Sequence, residues 1–220
     1  MKKINIITLG CSKNTVDSEH LAAQLHEYGY TIVFDSDRTD ADVVVINTCG
    51  FIGDAKQESI DTILRAAELK MAGKIEKLFV VGCLSQRYAS ELRPELPEVD
   101  DFFGVNDWAG IVERLGAKYR NENETKRELS TPSHYAYLKI SEGCNWLCGY
   151  CAIPLIRGKH ESVPMEVILE EARKLAERGV KEIMVIAQDT TYYGIDLYGR
   201  RRLADLLTEL CRIEGIEWIR

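Results

Sequence analysis

Three cysteines that could share one metal cofactor lie within eight residues, at Cys144, Cys148 and Cys151. Their spacing, C-x-x-x-C-x-x-C, lets one short loop (residues 143–151, the cysteine loop) turn all three sulfurs toward one point. Soft thiolates select zinc or iron–sulfur clusters. A cubane cluster has four irons, so three thiolates leave one iron open, as a catalytic metal site keeps a position free for substrate. The motif therefore favours a 4Fe-4S cluster that can bind one further ligand.

Zinc is the chemical alternative for the same loop. It would need Cys144, Cys148 and Cys151 together with a remote fourth ligand such as His160. Zinc motifs more often come as C-x-x-C pairs or with histidines at fixed offsets. Disulfides are disfavoured because an odd set of cysteines cannot pair internally. The cluster interpretation is preferred.

A second set of cysteines, Cys11, Cys49 and Cys83, is spread along the first half of the chain. Each stands beside a glycine, which permits tight turns and lets backbone amides approach sulfur. A free cysteine is often only a small core residue. Three at equivalent places in repeated units instead predict an auxiliary 4Fe-4S cluster, again with three protein ligands and an open iron.

The predicted secondary structure explains why these three places are equivalent. Apolar patterns predict strands at residues 3–9, 42–46 and 78–81, with helices over 15–28 and 60–71 between them. Each cysteine follows a strand end by one or two residues. The β-α-β-α-β order predicts an open parallel α/β sheet with right-handed crossovers. The carboxyl ends of its strands form the ligand-binding edge, where the three thiols should meet.

The second half of the chain repeats β-α units around the cysteine loop. A strand at residues 135–140 leads into the loop, followed by a helix over 165–178 and a strand at 183–187. A leucine stripe predicts a helix through residue 210, and a last strand begins at 216. Cys211, next to that stripe, is predicted to be a buried packing thiol.

Composition divides the chain between these two patterns. Residues 118–133 are dominated by polar side chains without apolar periodicity, and we expect a linker there. The predicted domains are therefore residues 1–117, with the auxiliary cluster, and residues 134–220. A complete β/α barrel takes about 250 residues, so the second domain is expected to form only the first part of one.

Overall composition is that of a globular protein, with 45% hydrophobic and 29% charged residues. We expect no membrane span, because there is no apolar run of about 18 residues. Seven cysteines without a recognisable secretion signal predict a reducing, cytoplasmic location. The net charge of −7 disfavours nucleic acid as substrate and favours a basic partner.

The cysteine loop resembles that of the radical S-adenosylmethionine (radical SAM) enzymes. In that superfamily the open iron chelates S-adenosylmethionine, and an electron from the cluster cleaves the sulfonium to release a 5′-deoxyadenosyl radical. The resemblance also implies a β/α barrel. Tyr150, inside the loop, is expected to frame the adenine, with plain packing as the alternative.

The first half narrows the resemblance to the methylthiotransferases, which insert a CH3–S group at an unactivated C–H bond. The stretches Gly10-Cys11-Ser12-Lys13-Asn14, Asn47-Thr48-Cys49 and Val81-Gly82-Cys83 carry it, and all six cysteine positions agree. The resemblance implies two 4Fe-4S clusters, with the auxiliary one supplying or carrying sulfur. It also implies two uses of S-adenosylmethionine, one to methylate that sulfur and one to generate the radical.

Two branches of the family compete, one acting on tRNA adenosine and one on the β-carbon of an aspartate in small-subunit ribosomal protein S-twelve. Ser12-Lys13-Asn14 after the first cysteine, and the stretch from Gln188 to Asp196, resemble the ribosomal-protein branch. The resemblance also implies an electron donor such as flavodoxin or ferredoxin. A tRNA enzyme and a non-catalytic iron–sulfur redox module are the alternatives.

Other positions bear on the site more weakly. Gln188 and Asp189 follow a predicted barrel strand, where catalytic or substrate contacts fall; capping of the next turn is the alternative. Trp146-Leu147 stands where the family usually has Arg and a polar residue, and Val163 stands where it has Arg. These departures affect an expected polar contact near the cofactor and leave the cysteine ligands intact.

Overall fold

The computed structural model describes residues 2–38 and 40–220. They form two compact units, Met1–Asn121 and Glu122–Arg220. None of the helices in these described ranges is long and apolar enough to cross a membrane.

The first unit is a parallel sheet of five strands in the order β2-β1-β3-β4-β5. Its elements are β1 (Lys3–Thr8), α1 (Ser12–His26), β2 (Thr31–Phe34), β3 (Val43–Thr48), α2 (Gly53–Met71), β4 (Lys77–Gly82), α3 (Cys83–Glu95), β5 (Asp101–Phe102) and α4 (Trp108–Arg114). The parallel α/β fold predicted from the sequence is confirmed. Sequence patterns missed β2 and β5, whose four and two residues are too short to show a periodic signal.

Both faces of this sheet are covered, which explains the uninterrupted apolar strands. On one face Ile6, Val45 and Phe79 pack against α1 and α4. On the other, Ile46 and Val80 pack against α2 and α3. Every residue of β3 is buried. The central strands β1, β3 and β4 are thereby held side by side, and their carboxyl ends share one edge.

The second unit has a parallel sheet of three strands in the order β10-β9-β6, and a separate antiparallel pair, β7-β8. Its elements are β6 (Tyr135–Lys139), β7 (Ser141–Glu142), α5 (Ile153–Arg157), β8 (Glu161–Ser162), α6 (Met165–Glu177), β9 (Glu182–Ile186), α7 (Ile195–Tyr198), α8 (Leu203–Leu210) and β10 (Trp218–Ile219). Leu138, Leu175, Ile183 and Leu206 meet in its core. This arrangement gives two β-α units and a third strand, as expected for part of a β/α barrel.

The segment predicted as a linker, residues 118–133, contains a short 3-10 helix at Asn121–Asn123. Further along, Arg127 is buried, and its Nη1 lies 2.8 Å from Glu171 Oε1 on α6. A polar segment therefore packs onto the second unit through a buried ion pair. Composition alone could not indicate this, because the partner carboxylate lies far along the chain.

Candidate metal centres

Cys11, Cys49 and Cys83 all lie at the carboxyl edge of the five-stranded sheet. Cys49 follows β3 directly, Cys83 is the first residue of α3, and Cys11 is the N-cap residue of α1. Two of the three therefore stand at helix N-termini, where the helix dipole favours anions. β1, β3 and β4 are direct neighbours, so the chain brings the three thiols to adjacent positions along one edge.

Glycines beside the cysteines allow close approach of these segments. A Cβ built on Gly10 would stand 3.1 Å from Cys49 Sγ. A Cβ on Gly50 would stand 2.8 Å from the carbonyl carbon of Cys83. Both distances are shorter than ordinary van der Waals contact, so this packing requires glycine at positions 10 and 50.

Two buried asparagines connect the strand ends below these thiols. Asn14 Nδ2 donates to Leu9 O at 2.8 Å and to Thr48 O at 3.1 Å. Asn47 Nδ2 donates to Asn14 O and to Ser18 Oγ, each at 3.0 Å. Sequence analysis gave these asparagines no role of their own. The signal that could have indicated a role was their position next to the cysteine motifs, because a buried side-chain amide needs hydrogen-bond partners.

A glycine-to-alanine pair tests whether this close approach matters. Gly50→Ala would place a Cβ 2.7 Å from the backbone of Leu84 and force β3 and α3 apart. Overpacking of this kind costs about 1–3 kcal/mol, and we expect lower thermal stability and reduced iron uptake by these three cysteines. Gly53→Ala is the matched control, because a Cβ there has no atom within 4 Å. Equal melting temperatures for the two variants would contradict the prediction.

The cysteine loop begins after β7 and ends at α5. Cys144 donates its N–H to Gly158 O at 3.1 Å, and Cys151 donates to Cys148 O at 3.0 Å. Gly143 has a φ of +65°, and a Cβ there would lie 1.9 Å from Lys159 O. Only glycine can occupy this position, so the loop closes tightly against the chain that follows α5.

A charged group anchors both ends of the loop. Glu142 Oε2 lies 2.9 Å from Lys139 Nζ and 2.9 Å from Arg157 Nη1, while its Oε1 accepts the Gly143 N–H at 3.1 Å. The side chains of Glu142 and Arg157 are 13% and 1% exposed. Burial by itself would raise the pKa of Glu142, but Lys139 and Arg157 outweigh it and lower the pKa to about 2. The carboxylate is therefore charged and ties β7 to α5.

The remaining predicted site residues have varied surroundings. Tyr150 is 91% exposed, and Gln188 is half-buried just after β9. Asp189 Oδ1 accepts the Thr191 N–H at 2.9 Å, the capping arrangement weighed as the alternative for this residue. The prediction for Cys211 is wrong: its thiol is exposed, because the buried face of α8 consists of Leu206 and Leu210 and Cys211 lies one residue beyond it.

All seven cysteines are free thiols. Within residues 2–38 and 40–220, no three His, Cys, Asp or Glu side chains stand close enough to hold a single metal ion. His160, the fourth ligand considered for zinc, has its Nε2 3.0 Å from Ser162 Oγ. Thiolates that hold a cubane cluster each bind a different iron, so they stand further apart than the ligands of one ion. Six free thiols in two sets of three offer the kind of donor atom that such clusters take.

Comparisons with known proteins agree with this architecture. Residues 138–220 match the family model of the Radical SAM superfamily, and residues 3–104 match the model described as "Uncharacterized protein family UPF0004". The β/α unit thus matches the Radical SAM superfamily, and the parallel α/β unit that precedes it matches a separate family.

Relatives named ribosomal protein uS12 methylthiotransferase RimO match the chain from end to end. Identity is 56% over 219 residues in Bacteroides fragilis and 55% over 219 in Bacteroides thetaiotaomicron. It is 53% over 218 residues in Porphyromonas gingivalis. These matches cover 99–100% of this chain and 50–51% of the relatives. The chain is thus similar over its whole length to methylthiotransferases of this name, and it spans about half the length of these relatives.

Solved structures with similar folds are also radical SAM enzymes. The cobalamin-dependent enzyme OxsB superposes with a TM-score of 0.60 at 12% identity, covering 99% of this chain and 38% of OxsB. The methyltransferase TsrM from Kitasatospora setae gives a TM-score of 0.57 at 10% identity, covering 95% of this chain and 51% of TsrM. At such identities the likeness shows the fold alone, and it supports the predicted α/β architecture.

Proposed function

We propose that this chain is part of an S-adenosylmethionine-dependent radical enzyme that adds a methylthio group to the β-carbon of an aspartate in ribosomal protein uS12. The observation that carries the proposal is the 52–56% identity, over the whole chain, to proteins named uS12 methylthiotransferase. Ser12-Lys13-Asn14 and the Gln188-Asp189 stretch, which resemble the same branch, support it.

Each half of the chain has its own part in the proposal. Cys144, Cys148 and Cys151 would hold one 4Fe-4S cluster, which when bound supplies the electron that cleaves S-adenosylmethionine. Cys11, Cys49 and Cys83 would hold the auxiliary 4Fe-4S cluster. Asn14 and Asn47 would keep the strand ends below the auxiliary set in register, and Glu142 and Arg157 would hold the ends of the cysteine loop.

The other predicted site residues are Gln188, Asp189 and Tyr150. We assign a substrate or cofactor contact to Gln188, which follows β9, the usual position of functional groups in β/α barrels, and we assign Asp189 the capping of the next turn. The exposed ring of Tyr150 is available to an adenine. The acidic net charge of −7 suits a basic protein substrate in the cytoplasm. A flavodoxin or ferredoxin would supply electrons.

A transfer assay tests the proposal. The chain, reconstituted with iron and sulfide without air, is incubated with S-adenosylmethionine, dithionite and either uS12 or tRNA. We expect a methylthio group on one aspartate of uS12 and none on tRNA. Modified adenosine would instead identify the tRNA branch, and absence of 5′-deoxyadenosine would identify a non-catalytic redox module.

A variant separates the two clusters in the same assay. Replacing Cys11, Cys49 and Cys83 together by alanine should abolish methylthio transfer, because the sulfur-carrying cluster is gone. Reductive cleavage of S-adenosylmethionine should persist at the other cluster. A variant that still transfers the methylthio group would contradict the role assigned to these three cysteines.

A further inference from the structure

Trp146 makes two contacts that connect a cysteine sulfur with the edge of the second sheet. Its backbone N–H donates to Cys144 Sγ, with the nitrogen 3.5 Å from the sulfur. Its indole Nε1–H donates to Asp189 Oδ2 at 2.7 Å. Trp146 therefore donates to the thiol through its main chain, and its own side chain is fixed by a hydrogen bond to Asp189. Since 54% of Trp146 is exposed, packing contributes little to its position.

Asp189 is a well-fixed acceptor for the indole. Its other oxygen, Oδ1, accepts from Thr191 N at 2.9 Å and from Thr191 Oγ1 at 2.7 Å. Burial alone would raise the pKa of Asp189, but hydrogen bonds from Trp146 and Thr191 hold the pKa below its usual value. Asp189 is thus a charged carboxylate, and the indole bond is charge-assisted and stronger than a neutral one.

Three further contacts link this part of the cysteine loop with Tyr192 and His160. The Tyr192 ring meets the Trp146 ring edge-on at 6.4 Å and the His160 ring edge-on at 4.9 Å. The backbone N–H of His160 donates to Asn145 Oδ1 at 3.0 Å. The residues that follow Cys144 are therefore tied both to the segment after β9 and to the segment before β8.

We propose that Trp146 is a positioning residue for the Cys144 thiolate: the indole bond to Asp189 orients the main chain so that the Trp146 amide donates to sulfur. This inference rests on the proposed function, in which Cys144 binds a cluster. A hydrogen bond to a ligating sulfur stabilises the extra negative charge of the reduced cluster and raises its reduction potential.

An arginine at position 146 would differ from the tryptophan in its charge. The Trp146 indole supplies a donor to Asp189, but it is neutral and leaves the carboxylate charge uncompensated. An arginine could supply both a donor and a compensating charge. Trp146→Arg should therefore preserve the anchor and shift the potential of the neighbouring cluster to more positive values.

The main test compares three variants of the reconstituted chain by redox titration, monitored by electron paramagnetic resonance of the cluster whose spectrum responds to S-adenosylmethionine. Trp146→Phe keeps an aromatic ring but loses the donor, and should lower the midpoint potential. Trp146→Arg should give a potential above that of the unaltered chain. Trp218→Phe is the matched control and should change nothing, because Trp218 pairs with Glu182 at the opposite end of β9.

A second measurement needs no cluster. In the metal-free chain, Asp189→Asn removes the charge that the indole N–H faces, so the proton resonance of Trp146 Nε1–H should move while those of Trp108 and Trp218 stay in place. An unmoved Trp146 resonance would overturn the anchor. Failure of the cysteine loop to take up any cluster would overturn the proposed function. Uptake with the same potential in Trp146→Phe and the unaltered chain would overturn the positioning role alone.

Discussion

Replacing Cys144, Cys148 and Cys151 together by alanine is expected to remove about four irons per chain, one cubane cluster, and to abolish the cleavage of S-adenosylmethionine. The loop offers its three thiols within eight residues, and its ends are fixed by Gly143 and by the Glu142–Arg157 pair. Without thiolates nothing in this loop can hold a cluster. Iron and sulfide counts after anaerobic reconstitution, together with 5′-deoxyadenosine formation under dithionite, measure both effects.

The matched control is Cys211→Ala, which removes an exposed thiol outside both sets of three. It should retain the full iron content and full cleavage activity. The triple variant should keep the cluster held by Cys11, Cys49 and Cys83, because those residues lie in the other compact unit. Full iron content in the triple variant would contradict the assignment, and so would undiminished cleavage.

Replacing Glu142 by alanine is expected to destabilise the second unit by about 3–5 kcal/mol, the usual cost of removing one partner of a buried ion pair. Arg157 is 1% exposed, and Lys139 is 15% exposed. The two cations would face each other without the carboxylate between them. Urea unfolding at neutral pH measures the loss. Glu170→Gln is the matched control, because Glu170 pairs with Lys174 on the solvent side of α6 and should matter little.

Glu142 also predicts how stability depends on pH. Its pKa is about 2 in the folded chain, below the ordinary value of 4.5. The unfolded chain therefore binds the proton more tightly, and the stabilisation is fully present above about pH 4.5. It is lost as the pH falls from there toward 2. Between pH 6 and pH 3 the free energy of unfolding should fall more steeply for the unaltered chain than for Glu142→Ala. Equal falls in the two proteins would argue against a charged, paired Glu142.

Much of the fold followed from local patterns. The buried run Val43–Thr48 and the strand Lys3–Thr8 were predicted within one or two residues, because a strand buried on both faces is mostly apolar. The amphipathic helix Met165–Glu177 was predicted equally closely. The sequence patterns did not predict the strands β5, β7 and β8. Each has only two residues, so it forms by pairing with a neighbour rather than by any preference of its own.

Burial was less predictable than secondary structure. Cys211 was expected inside and lies outside, because it follows Leu210, the last buried leucine of α8, and does not lie on the buried face of that helix. Arg127 lies in a polar stretch and is buried, because Glu171 neutralises it from α6. In both cases the outcome depends on what stands opposite the residue, which a window of sequence does not contain.

The sequence by itself determined the chemistry available to this protein. Six cysteines, their spacing and the adjoining glycines define two sets of soft ligands, and this information is local to short motifs. The tertiary structure alone decided what surrounds those ligands. The Trp146–Asp189 bond joins residues 43 positions apart, and Asn14 meets Thr48 across 34. Such contacts arise only when β-strands align their carboxyl ends, since hydrogen bonds and ion pairs depend on distance in space rather than on distance along the chain.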